Sequence, residues 1–260
     1  MGVAAISYDS RAVLRNFAER RHITYPLLSD VDSRVIRAWG ILNETVEANS
    51  PVYGIPYPGT YVISASGKIV AKYFEDDYKE RIPVFEILRG MGTTPGVPHA
   101  IHETQYLKLT SSASTTVVHP NQRVTLSVDI ALNPKMHVYA PGVEGYFAID
   151  WKTQQTPAAR FEAVKYPAAR KLHLAAINET VPAYLDSFRL AEDIVISTEP
   201  NVKPLLNEKG ELMLHGTLRY QACDDRVCYI PATVPLQWTF HFEPLDRVRA
   251  PAELQRKGKR

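Results

Sequence analysis

The chain has 260 residues, with 30 Lys and Arg against 28 Asp and Glu, and 45% of its residues are hydrophobic. This length predicts about two domains, and this composition excludes wholesale disorder. The net charge of +2 argues against a protein whose main function is nucleic-acid binding. No apolar run approaches the roughly 20 residues of a membrane-spanning helix. Two cysteines exclude a disulfide-rich scaffold and leave room for one bridge or one redox pair.

The first 92 residues alternate strand and helix patterns. The opening segment, MGVAAISYDS, has no basic part and only a short apolar run, so no signal peptide is visible. Val3 to Ser7 instead predicts a buried strand, and Asp9 or Ser10 can cap a helix that follows it. Three further elements are predicted: a short helix over 30–39, a hairpin over 59–73 and a helix over 78–89. This alternation predicts an α/β domain over residues 1–92.

The pattern changes after residue 92. Residues 93–101 are rich in Thr, Pro and Gly, which predicts a linker. Beyond it, short alternating runs are separated by Pro, Gly and Asn, without a convincing amphipathic helix between them. This pattern predicts an antiparallel β-sandwich over residues 102–246. The basic segment 247–260 predicts a disordered tail.

Three motifs of the first domain follow the order found in one known family. They are the Ser7-Tyr8-Asp9-Ser10 step, the YPLLSD segment at 25–30 and the hairpin from Gly59 to Gly67. Through them, residues 2–90 resemble the C-terminal two-thirds of a peroxiredoxin-type (AhpC/TSA, redoxin) thioredoxin fold. The resemblance implies an N-terminally truncated domain, because the family's first strand and helix have no counterpart here. We therefore expect the chain to derive from a longer redoxin fusion.

This domain lacks the residues that the resemblance assigns to peroxide chemistry. The family's peroxidatic cysteine lies upstream of the first strand, whereas no cysteine precedes Cys223 here. The family's arginine falls at Pro58. A thiolate nucleophile needs the sulfur and a positive neighbour, so we expect no peroxidase activity from this chain. Pro58 itself is either a cis-proline position that contacts peptide substrates or an ordinary turn proline.

The two cysteines of the chain lie five positions apart, in the segment YQACDDRVCYIP at 220–231. Strand-like residues flank them, so a tight turn could place their Cα atoms within the roughly 4.4–6.8 Å of a disulfide. A bridge across so short a loop would add only about 2 kcal/mol of stability, which favours redox use. The alternatives are a purely structural disulfide, a zinc site that lacks two further ligands, or two unrelated thiols.

The cysteine segment, together with NPKMHVYA at 133–140, resembles the N-terminal domain of the thiol:disulfide interchange protein DsbD over residues 102–243. The resemblance implies an immunoglobulin-like fold and electron transfer by disulfide exchange with a thioredoxin-like redox protein. It also implies that the partner attacks Cys228 first and that Cys223 then resolves the mixed disulfide.

The DsbD family covers its cysteines with a cap loop that carries an aromatic side chain. The matching stretch is at about 171–184 and contains no Phe, so His173, Leu174 or Tyr184 would have to cover the site. Three more tyrosines are candidates to line it: Tyr139, Tyr220 and Tyr229. For each tyrosine, packing in the sandwich core or at its edge is the alternative.

The sequence therefore predicts two domains, a partial α/β thioredoxin-like fold followed by an all-β immunoglobulin-like sandwich with Trp151 and Trp238 in its core. The predicted function is thiol–disulfide exchange or redox homeostasis through Cys223 and Cys228, without cofactor or metal. Disulfide chemistry favours an extracytoplasmic, periplasmic location. The second hypothesis is a non-catalytic protein-binding module with a structural disulfide. The third is a fragment of a longer antioxidant peroxiredoxin fusion.

Overall fold

The computed structural model of the chain describes residues 2–74, 97–174 and 178–255. The chain divides into two compact units, Met1–Tyr78 with Asp246–Arg260, and Lys79–Leu245. The helix predicted over 78–89 lies outside the described residues. Within those residues, no helix is long and apolar enough to cross a lipid bilayer.

The first unit is a small α/β arrangement. Its elements are β1 (Ala5–Ser7), α1 (Arg11–Arg21), β2 (Leu27–Ser29), α2 (Arg34–Ala38), β3 (Gly59–Ile63) and β4 (Ile69–Phe74). β1 pairs with β2 in parallel, and β3 pairs with β4 in antiparallel fashion in a separate two-stranded sheet. The predicted alternation of strands and helices is confirmed, and so is the predicted hairpin.

Local hydrogen bonds explain where the helices of the first unit begin. Ser10 caps α1, because its hydroxyl accepts a hydrogen bond from the backbone N–H of Val13 at 3.3 Å. Before α2, the carboxylate of Asp30 accepts hydrogen bonds from the backbone N–H groups of Arg34 and Ile36. Asp30 therefore precedes the second helix, which starts later than the sequence pattern predicts.

The second unit consists of strands in three sheets. In chain order they are β5 (Val97–Glu103), β6 (Leu107–Ala113), β7 (Val117–Val118), β8 (Arg123–Leu132), β9 (His137–Tyr139), β10 (Asp150–Thr153), β11 (Ala159–Phe161), β12 (Arg170–Leu174), β13 (Glu179–Leu185), β14 (Ser187–Ile196), β15 (Glu211–Tyr220), β16 (Ala222–Cys223) and β17 (Ala232–Phe242). The strand orders are β11-β14-β8-β6-β5, β10-β15-β17-β7 and β12-β13-β9-β16. Neighbouring strands are antiparallel, except that β7 runs parallel to β17.

The core of the second unit confirms the predicted all-β immunoglobulin-like sandwich. The indole rings of Trp151 and Trp238 stack with centroids 5.7 Å apart, and both side chains are buried as predicted. The indole N–H of Trp238 donates a hydrogen bond to the backbone carbonyl of Ser112 at 2.8 Å, which satisfies its polar atom inside the core.

Several elements of the second unit are missing from the sequence prediction. β5 begins at Val97, inside the segment 93–101 that was expected to be a linker. β12 and β13 pair as a hairpin where a cap loop was expected. A single helical turn, Glu199–Val202, and a 3-10 turn, Lys203–Leu205, connect β14 to β15.

Candidate functional site

Cys223 and Cys228 form a disulfide. Their sulfur atoms are 2.05 Å apart, and their Cα atoms are 4.0 Å apart, slightly closer than the sequence prediction. The two residues face each other as an antiparallel bridge pair. Cys223 ends β16 and is completely buried, whereas Cys228 is exposed. The disulfide therefore joins one buried residue to one exposed residue.

Asp224 organises the short loop that the disulfide closes. Its carboxylate accepts hydrogen bonds from the backbone N–H groups of Arg226 and Val227, at 2.8 and 2.9 Å. It also accepts a hydrogen bond from the hydroxyl of Tyr229 at 2.8 Å. The hydrogen bonds from Val227, Arg226 and Tyr229 lower the pKa of Asp224, so a negative charge sits beside the disulfide.

The inner sulfur lies on the face of a sheet. β16 pairs with β9, and β9 pairs with β13, so that three strands support one side-chain layer. We call this layer the cysteine cluster; its buried members are Tyr139, Val181, Ala183 and Cys223. The partly buried side chains packed against it are Val143, Tyr146, Leu172 and Leu174. This apolar layer shields Cys223 from water.

Tyr139 is the aromatic residue nearest to the disulfide. Its hydroxyl oxygen lies 3.7 Å from the Sγ atom of Cys228. Because a disulfide sulfur carries no proton, the hydroxyl is the donor in this contact. Burial raises the pKa of Tyr139, so the phenol keeps its proton at neutral pH. The predicted placement of Tyr139 beside the cysteines agrees with this geometry.

A second tyrosine ties the cluster to the β12–β13 hairpin. The ring of Tyr146 packs at a tilt against that of Tyr139, with centroids 4.5 Å apart. Its hydroxyl donates a hydrogen bond to the carboxylate of Glu179, the first residue of β13, at 2.5 Å. This bond raises the pKa of Tyr146 to about 12. The sequence reasoning missed both residues, because their pairing joins segments that are 33 positions apart.

His137 occupies the position opposite Cys223 on β9. The register of β9 and β16 pairs these two residues directly. The imidazole is 3% exposed and meets the ring of Tyr139 edge-on, with centroids 5.3 Å apart. Within the described residues its Nε2 atom has no hydrogen-bond partner. Burial lowers the pKa of His137, while the negative charges of Asp225 and Asp224 oppose that shift.

The other predicted site residues are divided between the sandwich core and the surroundings of the cysteines. Tyr184 and Tyr220 belong to the sandwich core and not to the cysteine cluster, which is the alternative that the sequence left open. Tyr229 packs partly against that core and against the ring of Tyr106, with centroids 4.5 Å apart. It follows Cys228 directly and bonds Asp224, so it belongs to the disulfide loop. Among the three side chains expected to cover the cysteines, Leu174 packs on the cluster, whereas His173 is exposed.

Pro58 lies in the first unit, just before β3. All peptide bonds in the described part of the chain are trans, so the cis-proline interpretation of Pro58 is wrong. Its use as a contact for peptides stays a prediction. The next residue, Gly59, has no room for a side chain, because a Cβ atom there would overlap the ring of Phe74.

Two aliphatic residues next to Cys228 in the sequence are exposed. Val227 precedes Cys228 and is 53% exposed, and Ile230 follows two positions later and is 89% exposed. Among the described residues, no group of three or more His, Cys, Asp or Glu side chains is placed to hold a metal ion.

The sequence matches the profile described as thiol:disulfide interchange protein DsbD, N-terminal, over residues 103–237, which is more than half of the 260-residue chain. The chain belongs to this family. The matched region includes both cysteines and every strand that contributes to the cysteine cluster of this DsbD-type domain. The presence of that domain, of a disulfide and of a redoxin-like region is consistent with thiol–disulfide chemistry.

The first unit matches a different family. The AhpC/TSA family profile matches residues 1–72. Two Mycobacterium tuberculosis proteins with peroxiredoxin names, from strains CDC 1551 and H37Rv, are each 35% identical over 74 residues. These matches cover 28% of this chain and 46% of each relative. The chain thus spans about half the length of the curated relatives that it matches.

Solved structures with weaker likeness include two unrelated kinds of domain. The N-terminal periplasmic domain of ScsB from Proteus mirabilis is 12% identical, with a TM-score of 0.38, and the match covers 56% of this chain and 52% of that one. The GAE domain of GGA2p from Saccharomyces cerevisiae is 6% identical, with a TM-score of 0.33, and the match covers 54% and 96% respectively. The family assignment rests on the sequence profile.

Proposed function

We propose that the Cys223–Cys228 disulfide exchanges with the thiols of a thioredoxin-like redox protein. The observation that carries this proposal is the unequal exposure of the two bonded residues, since Cys223 is completely buried and Cys228 is exposed. A disulfide kept only for stability gains nothing from presenting one sulfur to solvent. The short loop supports the same proposal, because the bridge contributes only about 2 kcal/mol to stability.

The exchange proceeds in two balanced steps. A thiolate of the partner attacks the Sγ atom of Cys228, the S–S bond breaks, and its electron pair leaves on Cys223. The second thiol of the partner then attacks the mixed disulfide, so that the partner is oxidised and the domain carries two thiols. The reverse sequence oxidises the domain. The reduction potentials of the two proteins decide the direction.

The surface beside Cys228 supports docking of a protein rather than a small thiol alone. Val227 and Ile230, on either side of Cys228 in the sequence, are both exposed aliphatic residues. Thioredoxin-like proteins are the exchange partners of DsbD N-terminal domains. Because disulfides persist in oxidising compartments and DsbD N-terminal domains are periplasmic, we place the exchange outside the cytoplasm.

Single cysteine variants of the full chain test this function. Cys223→Ser leaves the thiol of Cys228 without its partner, and we expect it to trap a mixed disulfide with a single-cysteine thioredoxin variant whose thiol is activated with Ellman's reagent. Attack by Cys228 releases thionitrobenzoate, and non-reducing electrophoresis and mass spectrometry detect the complex. Cys228→Ser leaves only the buried sulfur, and we expect at least ten times less trapped complex, because access controls exchange. Equal trapping by both variants, or none by either, would contradict the proposal.

The structural-disulfide hypothesis makes a different prediction. Val227 and Ile230 would serve a binding surface in either case, so binding alone does not separate the two hypotheses. A reduction potential below about −300 mV would identify an inert bridge, whereas a higher value would identify an exchanger. Equilibration of the chain with glutathione or dithiothreitol buffers, followed by thiol alkylation and mass spectrometry, measures this potential.

A further inference from the structure

Resolution of a mixed disulfide at Cys228 requires a thiolate at Cys223, and the environment of Cys223 opposes that thiolate. The side chain is completely buried, so water does not solvate the negative charge. The next residue is Asp224, whose depressed pKa keeps it negatively charged. Burial also slows the approach of a base from solution to the thiol. A group within the domain that takes the proton would therefore speed this step.

His137 is the titratable residue that the sheet register pairs with Cys223. The two residues are direct partners in the register of β9 and β16. Side chains of such a pair lie on the same face of the sheet, with Cβ atoms about 5 Å apart. The Nε2 atom of His137 is buried and has no hydrogen-bond partner in the described part of the chain. A buried imidazole nitrogen without a partner is expensive to retain for stability alone.

We propose that His137 handles the proton of Cys223 in disulfide exchange. In the resolving step, Nε2 of His137 takes the proton from the Cys223 thiol, and the sulfur attacks the Sγ atom of Cys228. The bond between Cys228 and the partner breaks, and its electron pair leaves on the partner's sulfur. The imidazolium then releases its proton to water. In the reverse direction, the imidazolium protonates Cys223 as it leaves.

The surroundings of His137 suit this role. The neighbour on β13 is Leu185, which is uncharged, and the neighbour on its own strand is the protonated phenol of Tyr139. The charged groups that act on the ring are Asp225 and Asp224 of the disulfide loop, and they stabilise the imidazolium once it forms. Burial favours the neutral ring, so His137 is a free base at neutral pH.

The proposal rests on the proposed exchange function, and Ellman's reagent tests it without a protein partner. Cys228 of the reduced full chain attacks the reagent and releases one thionitrobenzoate. Cys223 then resolves the mixed disulfide and releases a second one. Stopped-flow absorbance separates the two phases. In the wild-type chain, we expect the second phase to slow at acid pH, with an inflection below the ordinary histidine pKa of about 6.5. A second phase without this inflection would overturn the proposal.

A pair of histidine variants separates proton handling from a structural role. His137→Gln keeps a polar side chain of similar size, and we expect it to slow the second phase about 100-fold at neutral pH and to remove the inflection. The matched control is His99→Gln. His99 is on β5 and also has a buried Nε2 atom without a partner in the described residues. Its substitution should change neither phase. An unchanged second phase in folded His137→Gln would contradict the assignment.

These results remain distinguishable from failure of the proposed function. A chain that completes both phases with Ellman's reagent but never exchanges with thioredoxin would refute the proposed partner and leave the role of His137 established. If His137→Gln does not fold, a wild-type pH profile without the inflection still overturns the assignment. A purely structural role for His137 would slow the second phase equally at every pH and keep the inflection.

Discussion

The two units of this chain both match redox families, yet they differ in how much apolar surface they bury. In the first unit, Leu14, Ile36 and Val62 are buried, whereas strand residues such as Leu28 and Val70 are 50% and 62% exposed. The second unit encloses a continuous core around Trp238. Both cysteines of the chain lie in the second unit. A match to a family therefore does not show which unit carries the chemistry, and the placement of the sulfurs does.

The largest expected effect tests the difference in burial between the units. Trp238→Ala should destabilise the second unit by about 3–5 kcal/mol, because it removes a fully buried ring and leaves a cavity. Trp39→Ala in the first unit should cost only about 1 kcal/mol, since this ring is 41% exposed and its main contact is the edge of Tyr61. Urea unfolding followed by fluorescence measures both. Equal losses would show that the first unit is packed as tightly as the second.

A smaller effect concerns a carboxyl group inside the sandwich. Glu192 on β14 is 4% exposed, and Thr153 donates a hydrogen bond to it. Burial raises the pKa of Glu192 above its ordinary value, so its contribution to stability is complete below that value and is lost as the pH rises through the folded-state pKa. The Glu192→Gln variant has no ionisable group at this position, so it should not lose this stability as the pH rises.

Urea midpoints of the wild type and Glu192→Gln, measured between about pH 4 and pH 8, check this prediction. The variant should gain stability relative to the wild type as the pH rises. Asp193 responds in the opposite direction, because its lowered pKa costs stability only at more acid pH. A stability difference that stays constant across this range would show that Glu192 does not ionise differently in the folded chain.

The smallest effect is local to the disulfide loop. Asp224→Ala removes the carboxylate that accepts hydrogen bonds from the backbone N–H groups of Arg226 and Val227. The amide protons of these two residues should therefore exchange with deuterium several-fold faster. Asp225→Ala is the matched control, since it removes the neighbouring exposed carboxylate. Hydrogen exchange read by NMR or mass spectrometry compares the two variants. Equal protection in both would mean that the disulfide alone orders the loop.

The predictable parts of the fold are those with a strong local pattern. The β3–β4 hairpin and the long strands β15 and β17 follow alternating apolar residues with clear turns, so the sequence predicts them well. The strand β13 of the β12–β13 hairpin begins with Glu179 and contains Pro182. Such residues are uncommon inside strands, so the sequence pattern does not predict β13. Its pairing depends on β9, which is distant in sequence, so no local pattern indicates it.

The site was predictable in its cysteines and only partly in its surroundings. The spacing of Cys223 and Cys228 indicates a disulfide by itself, whereas the burial of one sulfur depends on three strands that meet only in the fold. His137 and Tyr139 are two positions apart on β9. This spacing is the one sequence signal that places both side chains on the same face of the sheet. No local sequence pattern indicates a role for His137, because its strand partner Cys223 is distant in the chain.

The unequal exposure of the two cysteines also determines which of them peroxide would oxidise first. Peroxide oxidises accessible thiolates stepwise to sulfenic and then irreversible sulfinic acid. In a reduced chain, such damage would begin at Cys228, while the sulfur beneath Tyr139, Val181 and Ala183 would be spared. A neighbouring thiol can rescue the first product by condensing with it into a disulfide. Cys223 can thus re-form the disulfide with the sulfenic acid of Cys228 before oxidation becomes irreversible.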